Sequence, residues 1–249
     1  MNAVAAPGRL RILTVNTHKG FGQFNRRFVL PQLRDAVREV SADLVFLQEV
    51  LGEHRQWAGR HPEWPSMPQY EFLADTVWPQ FAYGRNAVYP AGHHGNALLS
   101  KYPIRSHRNL NIPSAGGEER GLLHALLDVG RPLHAVCVHL GLSETQRTAQ
   151  LHLLCALLDS LPANEPVIVA GDFNDWRQRA DAVLGRCGLR EAFVQAHGVA
   201  ARSFPARWPL LRLDRIYVRH LQLHDPRVLG RRPWSHLSDH LPLSVEVIL

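Results

Sequence analysis

The chain has 249 residues, of which 45% are hydrophobic and 20% charged, as in an ordinary soluble globular protein. No apolar run reaches the roughly 20 residues needed to cross a bilayer. The N-terminus has no apolar segment typical of a secretory signal peptide. These features exclude a membrane-spanning helix and favour a cytoplasmic protein. We find no linker and no internal repeat, so we expect one domain over residues 1–249, with residues 1–8 as a flexible tail.

Arginine supplies nearly all of the basic excess that gives the chain its formal net charge of +6. The only lysines are Lys19 and Lys101. Arginine suits bidentate recognition of phosphate groups. Because the positive charges are dispersed along the sequence, they favour a phosphate-bearing ligand only weakly.

The three cysteines are Cys137, Cys155 and Cys187. Their number is odd, their spacing is wide, and no Cys-x-x-Cys motif occurs. This pattern predicts neither a disulfide framework nor a cysteine-based zinc site. We therefore expect small buried thiols.

The first elements form a βαβ-like unit. Residues 10–15 are an apolar run typical of a strand, and Asn16 follows it. Residues 31–40 show the apolar spacing of a helix, with a proline in its first turn. Residues 43–47 are a second strand, and Glu49 follows it. The unit therefore places Asn16 and Glu49 at the ends of two strands.

The next segment, residues 51–92, is rich in Trp, Pro, Tyr and Gly. It predicts a short helix after Glu49 and then long loops with short strands at residues 70–73 and 83–88. Its three tryptophans could line a substrate cleft, but we favour a role in filling loosely packed loops; they are Trp57, Trp64 and Trp78.

Several further strands follow. Residues 95–100 predict a strand, with residues 104–110 as its antiparallel neighbour and residues 113–120 as a loop. The next two strands, 121–129 and 132–138, should form a hairpin that ends at His139. A helix capped by Ser143 comes next. Strands at 213–218 and 221–228 should pair with each other, and residues 241–249 form the last strand.

The strand at residues 167–170 is followed by Gly171-Asp172-Phe173-Asn174-Asp175. Asp and Asn are common in turns, so an ordinary turn is one interpretation. The alternative is a site, because charged side chains are rarely buried without a partner or a metal. Similar polar residues end the other predicted strands, and this favours a site at one edge of the sheets. They are Asn16, Glu49, His139, Asp172, Asn174, Asp214, Asp239 and His240.

These residue types favour metal-assisted hydrolysis. Carboxylate and amide oxygens are hard ligands that suit Mg²⁺ or Mn²⁺. A divalent ion with open positions neutralises charge that develops on a phosphate, and histidines donate hydrogen bonds or transfer protons. Zinc is disfavoured, because the sequence has neither His-Glu-x-x-His nor a cysteine pair. A phosphate-binding P-loop motif is also absent.

The motifs occur in an ordered set that spans nearly the whole chain. They are Asn16, Leu47-Gln48-Glu49, Gly95 to Ser100, Val138-His139, Gly171-Asp172-Phe173-Asn174, Leu213-Asp214-Arg215-Ile216 and Ser238-Asp239-His240. This set resembles the endonuclease/exonuclease/phosphatase, or DNase I-like, superfamily, and its compact bacterial branch in particular. The resemblance implies an α/β fold, a four-layer α/β sandwich in which two packed mixed β-sheets are flanked by helices.

The resemblance also implies roles for individual residues. Glu49 would be the principal metal ligand, helped by Asn16 and Asp239. Asp172 would position or activate the attacking water. The residues that would contact the phosphate are His139, Asn174 and His240, with Asp214 as the partner of His240. Further substrate-binding candidates are His18, Lys19, Asn96 and Arg120, although Arg120 could instead form a surface salt bridge and Asn96 could be structural.

One position departs from the pattern of the superfamily's apurinic endonucleases, which place an Asp two residues after the first Asn. Here that residue is His18, which disfavours a DNA-repair enzyme. The run Asn16 to Gly20 is similar to the phosphodiesterase-like domain of glycosylphosphatidylinositol lipid remodelling proteins. We therefore predict a monomeric Mg²⁺- or Mn²⁺-dependent phosphodiesterase that acts on a phospholipid head group or a small phosphodiester, without stable membrane insertion. The alternatives are a nuclease acting on DNA or RNA and a non-catalytic binding module.

Overall fold

Buried strands account for the long apolar runs of the sequence. In the first strand, Leu10 and Ile12 face one apolar cluster, while Leu13 and Val15 face another. Because successive side chains of a strand point to opposite faces, a sheet covered on both faces produces a continuous apolar run rather than an alternating one. The structure, a computed structural model, describes residues 8–112 and 118–249.

The elements of the described residues are as follows. The strands are β1 (Leu10–Asn16), β2 (Leu44–His54), β3 (Gln80–Tyr89), β4 (Gly92–Ser100), β5 (Ile104–Ile112), β6 (Arg120–Asp128), β7 (Pro132–His139), β8 (Val167–Asp172), β9 (Arg190–Glu191), β10 (Asp214–Arg219), β11 (Gln222–Val228) and β12 (Leu243–Ile248). The α-helices are α1 (Leu30–Val40), α2 (Arg55–Ala58), α3 (Gln69–Ala74), α4 (Glu144–Asp159), α5 (Ala180–Arg186) and α6 (Ala192–His197).

The strands form two mixed sheets. The first has the order β11-β12-β1-β2-β4-β3 and the second the order β5-β6-β7-β8-β10-β9. Each sheet has one parallel pair near its centre, β1 with β2 and β7 with β8, and antiparallel pairs around it. The carboxyl ends of each parallel pair therefore lie at one edge of their sheet.

Three apolar clusters separate the layers. The first lies between the sheets and includes Phe46 of β2 and Ile168 of β8. The second packs the first sheet against helices α1 and α3, and the third packs the second sheet against α4 and α5. This order of helices, sheet, sheet and helices confirms the predicted four-layer α/β sandwich.

Several local predictions are confirmed. The β6–β7 hairpin turns at residues 129–131, and β8 ends at Asp172. The hydroxyl of Ser143 accepts a hydrogen bond of 3.2 Å from the Gln146 N–H, so Ser143 caps α4. Trp57, Trp64 and Trp78 pack among other side chains; the Trp78 indole is buried and donates to the Ala42 carbonyl.

In the segment 51–92, one predicted element is confirmed and one is wrong. The short helix expected after Glu49 is α2, although strand β2 first continues to His54 through an irregularity at Glu49. The expected strand at 70–73 lies inside helix α3, where Tyr70 stacks on Tyr83 with ring centroids 4.4 Å apart. Packing of the aromatic face against the first sheet outweighs the strand propensity of Tyr and Phe.

Two predicted strand pairs are also wrong. Strand β5 pairs with β6 rather than with β4, because residues 101–103 carry the chain from one sheet to the other. Strand β11 pairs with β12 rather than with β10, which belongs to the second sheet. Propensity identifies a strand, but the choice of its neighbour depends on which sheet the chain joins.

The cysteine prediction needs correction. Cys155 of α4 and Cys187, which follows α5, form a disulfide with their Cα atoms 6.0 Å apart. They are 32 residues apart in sequence, and only the packing of α5 against α4 brings them together. Cys137 is a buried free thiol, as expected.

Two of the expectations fall partly on residues that the structure does not describe. These are residues 1–7 of the predicted tail and residues 113–117 of the predicted loop. Among residues 8–112 and 118–249, no helix has the length and apolar character needed to span a membrane.

Glu191 provides a test of how burial affects stability. Its carboxylate is buried and accepts a 2.6 Å hydrogen bond from the Val194 N–H at the start of α6. Burial raises the pKa of Glu191 from 4.5 to about 7, although the Val194 bond and Arg215 oppose the shift. A raised carboxyl pKa means that the folded state binds the proton more tightly, so this stabilisation is complete below pH 4.5 and is lost as the pH rises to about 7.

We therefore expect the Glu191→Gln variant to lose this dependence on pH. Gln keeps the acceptor for Val194 without a charge. Between pH 4.5 and pH 7 the wild type should lose about 3 kcal/mol of unfolding free energy relative to the variant. This follows from about 1.4 kcal/mol for each pH unit between the unfolded and folded pKa values of Glu191. Urea denaturation at both pH values measures it. Glu39→Gln, at an exposed position of α1, is the control and should show a small difference; an equally small difference for Glu191→Gln would contradict the prediction.

Candidate active site

The second sheet brings three polar residues side by side at its edge. In the strand register, Asp172 of β8 is opposite His139 of β7 on one side and Asp214 of β10 on the other. Gly171 permits this arrangement: its φ is +147°, and a Cβ atom there would lie 1.9 Å from the Val138 carbonyl oxygen. Only glycine tolerates both that backbone angle and that contact.

The first sheet contributes residues to the same place. The amide of Asn16, at the end of β1, donates a 3.2 Å hydrogen bond to Oδ2 of Asp172. The hydroxyl of Ser238 donates to the Asn16 carbonyl at 2.7 Å, and the Ser238 oxygen accepts from the His240 N–H. These bonds join the ends of both sheets to the loop 238–240, so the site lies where the sheets meet.

Asp172 is at the centre of this arrangement and is almost completely buried. Its Oδ1 accepts from the Asn174 N–H at 2.9 Å, and its Oδ2 lies 3.4 Å from Nε2 of His139 and 3.8 Å from Nε2 of His240. Burial raises the pKa of Asp172 to about 6, against the opposing effect of His240. A carboxylate with a pKa near neutrality is a suitable general base.

His240 and Asp214 form a buried pair. Nδ1 of the imidazole lies 2.8 Å from Oδ2 of Asp214, and an ionised carboxylate can only accept, so Nδ1 donates. Burial by itself lowers the pKa of His240, but Asp214 and Asp172 outweigh it and raise this pKa to about 10. His240 is therefore an imidazolium at neutral pH, with Nε2 directed towards the Asp172 side of the site.

His139 has the opposite charge state. Burial, together with the positive charge of Arg120, holds the pKa of His139 well below 6.5. The Arg120 guanidinium donates to Nδ1 at 2.9 Å, so the proton of the neutral ring is on Nε2, the atom nearest Asp172. Arg120 in turn forms a 2.9 Å ion pair with Glu118, and it is buried rather than part of a surface salt bridge.

Two predicted amides have their donors directed at the backbone. Asn174 donates to the Leu140 carbonyl at 2.9 Å, which ties the ends of β7 and β8 together. Asn96 donates to the Gly121 carbonyl at 3.0 Å and to the Cys137 carbonyl at 3.4 Å, and so joins β4 to the second sheet. The structure thus supports the structural interpretation of Asn96.

Glu49 reaches the site through an irregularity of β2. The register with β4 shifts between Leu47 and Val50, and Glu49 has a φ of +56°. A positive φ is strained for a residue with a side chain, and such strain occurs preferentially at functional sites. The hydroxyl of Thr17 bonds the carbonyls of Gln48 and Glu49 at 2.9 and 3.1 Å and holds this conformation.

The predicted oxygen ligands border the segment that follows β1. Lys19 Nζ lies 3.9 Å from Glu49, and His18 Nδ1 lies 3.7 Å from Asp239. These contacts are longer than hydrogen bonds, and both carboxylates remain partly exposed. Asn16 accepts from the His18 N–H at 3.0 Å and keeps a free lone pair on its amide oxygen. Carboxylate and amide oxygens such as these are the type of ligand that hard divalent cations prefer.

A second group has donor atoms close enough to hold a metal ion. Ligand atoms of Asp172, Asp214 and His240 all lie within 4.8 Å of one another. All three are buried, and His240 Nδ1 is already bonded to Asp214. Because Nδ1 is already engaged, the geometry of this group favours proton transfer over metal binding.

Three further residues support the site and were not predicted from the sequence: Gln69, His94 and Glu118. The Gln69 side chain of α3 donates to the Lys19 carbonyl and accepts from the Leu51 N–H, fastening both ligand-bearing segments. Glu118 lies 2.7 Å from His94 and also contacts Arg120. Burial opposes the shift, but these two neighbours lower the pKa of Glu118 to about 2. A buried Gln or a Glu beside an Arg has no distinctive sequence signal.

A mixed two-sheet sandwich with carboxylate, amide and imidazole side chains at one shared edge is typical of phosphoesterases. The profile of the Endonuclease/Exonuclease/phosphatase family matches residues 13–240. The chain belongs to this family, whose members are metal-dependent phosphoric ester hydrolases and nucleases. The resemblance recognised from the motifs is thereby confirmed.

The chain is also similar to individual proteins. An uncharacterized protein of Escherichia coli strain K12, YbhP, is 55% identical over 243 residues, which cover 96% of each chain. The crystal structure of an endonuclease/exonuclease/phosphatase from Beutenbergia cavernae superposes with a TM-score of 0.77 at 19% identity, covering 98% of this chain and 72% of that one. D. rerio TDP2 complexed with single strand DNA product has a TM-score of 0.72 at 19% identity, covering 98% and 100%. At these identities the solved structures bear on the fold alone.

Proposed function

We propose that this protein is a Mg²⁺- or Mn²⁺-dependent phosphodiesterase that hydrolyses a phospholipid head group or a small phosphodiester by in-line attack of water. Glu49, Asn16 and Asp239 would hold the ion, which when bound supplies charge neutralisation at the phosphate. The observation that carries the proposal is the buried cluster in which Oδ2 of Asp172 lies 3.4 Å from Nε2 of His139 and 3.8 Å from Nε2 of His240, with His240 bonded to Asp214.

The side chains divide the chemistry between them. Asp172, held by Asn16 and Asn174, takes the proton of the attacking water. The imidazolium of His240 donates a charged hydrogen bond to the phosphate, and Asp214 maintains its charge and orientation. Neutral His139 donates a hydrogen bond from its Nε2–H to the phosphate and keeps its proton, while Arg120 and Glu118 fix the ring. The side-chain amide of Asn174 has two N–H groups, and only one of them is bonded to the Leu140 carbonyl. The other is a further donor next to Asp172.

A lipid substrate is supported by exposed apolar side chains next to the site. Leu142 follows β7 and is 73% exposed, and Trp176 follows β8 and is 50% exposed. Trp208 is 78% exposed in the loop whose Phe204 ring lies 4.9 Å from the His240 ring. Aromatic side chains at such positions favour the boundary between water and lipid. A cytoplasmic, monomeric enzyme that binds membranes reversibly is part of the proposal.

The nuclease alternative requires a basic groove along which a nucleic acid backbone could lie. A turnover panel separates the candidates, with bis-p-nitrophenyl phosphate, p-nitrophenyl phosphate, plasmid DNA and phospholipid vesicles as substrates. We expect diesters to be preferred to monoesters, and vesicles to DNA. Preferred cleavage of DNA would establish the nuclease alternative, and no turnover of any substrate would favour a non-catalytic binding module.

The exposed tryptophans give a sharper test of the lipid substrate. In Trp176→Ser and Trp208→Ser, the rate on vesicles relative to the rate on bis-p-nitrophenyl phosphate should fall about 10-fold, because burial of a large apolar side chain contributes roughly 1.5–3 kcal/mol. Leu153→Ser removes a 48% exposed apolar side chain from the middle of α4 and serves as the control. If all three variants keep the wild-type ratio, the tryptophans do not contact lipid.

We expect His240 and Asp214 to act as one unit. His240→Ala and Asp214→Asn should each lower kcat/KM by about 10- to 100-fold, the magnitude of a lost charged hydrogen bond. The double variant should lose little more than either single variant, since residues that act together lose most of their effect at the first deletion. Losses that multiply would show that the 2.8 Å pair is not coupled in catalysis.

A further inference from the structure

An arginine-lined cavity lies near the site, and none of the proposed catalytic steps uses it. A cavity of about 340 Å³, here called the basic pocket, is lined by ten residues. Its polar walls are formed by Gln23, Arg26, Arg27, Gln32, Arg207 and His236. Among the described residues, no acidic side chain lines it.

The three arginines have no competing carboxylate. Within the described ranges, none of Arg26, Arg27 and Arg207 forms an ion pair, although Arg26 lies over the Phe24 ring at 5.6 Å from its centroid. Burial, followed by the charges of Arg232 and Arg207, lowers the pKa of His236. Three exposed arginines that line one cavity without an ion pair make it a candidate anion site, because a guanidinium presents donors that match phosphate geometry.

The backbone connects the basic pocket to the reaction centre by three routes. Residues 22–27 continue from the segment of His18 and Lys19, and His236 lies four residues before His240. The Ala206 N–H, next to Arg207, donates to the Asp239 carbonyl at 2.7 Å. Four residues span at most about 14 Å, so His236 cannot be further than this from His240 along the chain.

The walls of the basic pocket are closely packed. The Gly22 N–H donates to the Arg27 carbonyl at 2.9 Å and closes the loop that carries Arg26. A Cβ atom on Gly22 would lie 3.0 Å from the His236 carbonyl oxygen, so the two walls meet there in direct contact. Two of the segments that line the pocket are therefore fixed against each other by the backbone, and its three arginines lie on its exposed side.

We propose that the basic pocket binds a second phosphate group of the substrate, so that the preferred substrate is a small phosphodiester that also carries a phosphomonoester. This inference rests on the proposed function. A phosphomonoester carries a charge of about −1.5 to −2 at pH 7, which three arginines match. A nucleic acid backbone would need basic groups arranged along a groove, whereas these converge on a single cavity.

Matched substrates test the inference. The probes are p-nitrophenyl phosphodiesters of alkanediols whose far hydroxyl is either phosphorylated or free, with tethers from two to eight methylene groups. For the best tether, wild-type kcat/KM should be about 10- to 100-fold higher for the phosphorylated member. Arg26→Gln and Arg207→Gln should each reduce this ratio about 10-fold. The matched control is Arg131→Gln, in the exposed turn at the far end of β7, which should keep both the ratio and the basal rate.

A binding measurement separates failure of this inference from failure of the proposed function. Calorimetry in EDTA requires no turnover, and the phosphorylated member should bind wild-type protein about 10-fold more tightly than its free counterpart. Inorganic phosphate should also bind, and Arg207→Gln should weaken it about 10-fold. Equal affinities for the two members, or phosphate binding that the arginine substitutions leave unchanged, overturn the inference. If free phosphate binds but the tethered phosphate gives no advantage, the pocket holds a separate anion and the substrate assignment is wrong.

Discussion

Chelation of the divalent metal is expected to abolish hydrolysis. EDTA should reduce turnover of the best diester by at least about 10³-fold, and Mg²⁺ or Mn²⁺ should restore it, because the ion neutralises the phosphate at which charge develops. The expectation rests on the hard-oxygen set of Glu49, Asp239 and Asn16, in which Lys19 Nζ lies 3.9 Å from Glu49 and His18 Nδ1 lies 3.7 Å from Asp239. Full activity of the metal-free protein would contradict it.

Glu49→Gln tests the ligand assignment itself. The concentration of Mg²⁺ for half-maximal activity should rise about 10-fold or more, which corresponds to about 1.4 kcal/mol. Thermal unfolding gives a second measurement: a ligand at a hundred times its Kd stabilises the folded state by about 2.7 kcal/mol, and the variant should lose much of this at the same Mg²⁺ concentration. Glu53→Gln is the matched control, since Glu53 is an exposed residue of the same strand, β2. Equal responses of the two variants would remove Glu49 from the metal site.

Loss of the Asp172 carboxylate should have the second large effect. Asp172→Asn keeps the size of the side chain and an acceptor for Asn174, but removes the base. We expect kcat to fall by about 10²- to 10⁴-fold, the range for a lost acid–base contribution. The variant should be at least as stable as wild type at neutral pH, because burial disfavours the ionised carboxylate and raises its pKa to about 6.

A neighbouring carboxylate provides the control for Asp172. Asp175 is also buried, but its Oδ2 accepts a 2.7 Å hydrogen bond from the Ala180 N–H at the start of α5. Asp175→Asn should therefore cost about 1 kcal/mol of stability and leave most of the turnover. Kinetics combined with urea denaturation measure both effects. An Asp172→Asn enzyme with the wild-type rate would exclude Asp172 from the mechanism.

In our proposals, the basic pocket and the exposed tryptophans together limit the choice of substrate. The tryptophans favour a substrate at a lipid surface, and the pocket favours one with a second phosphate. A phospholipid whose head group is itself phosphorylated meets both requirements. The matched diesters and the vesicle assay test the two requirements separately, so either one can fail without the other.

Local sequence patterns were enough to predict a set of site residues. Gly171, Asp172 and the strand before them are recognisable because an apolar run ended by a carboxylate has few structural explanations. The same holds for Asn16 and for Ser238-Asp239-His240, and their order along the chain was enough to identify the family and the layered fold. Such patterns are local, and they depend on the chemistry of a few adjacent residues.

Tertiary structure decided how those residues interact. The charge of His240 and the neutrality of His139 depend on Asp214 and Arg120, which are distant in sequence and adjacent only across the strands. The partners of β5 and β11 and the disulfide between Cys155 and Cys187 likewise depend on which sheet or helix the chain packs against. The basic pocket is formed by three separate segments, so its dispersed arginines carry no sequence signal. The pKa value of a buried group depends on its burial and on its distance from other charges. These are fixed only when the two sheets pack together.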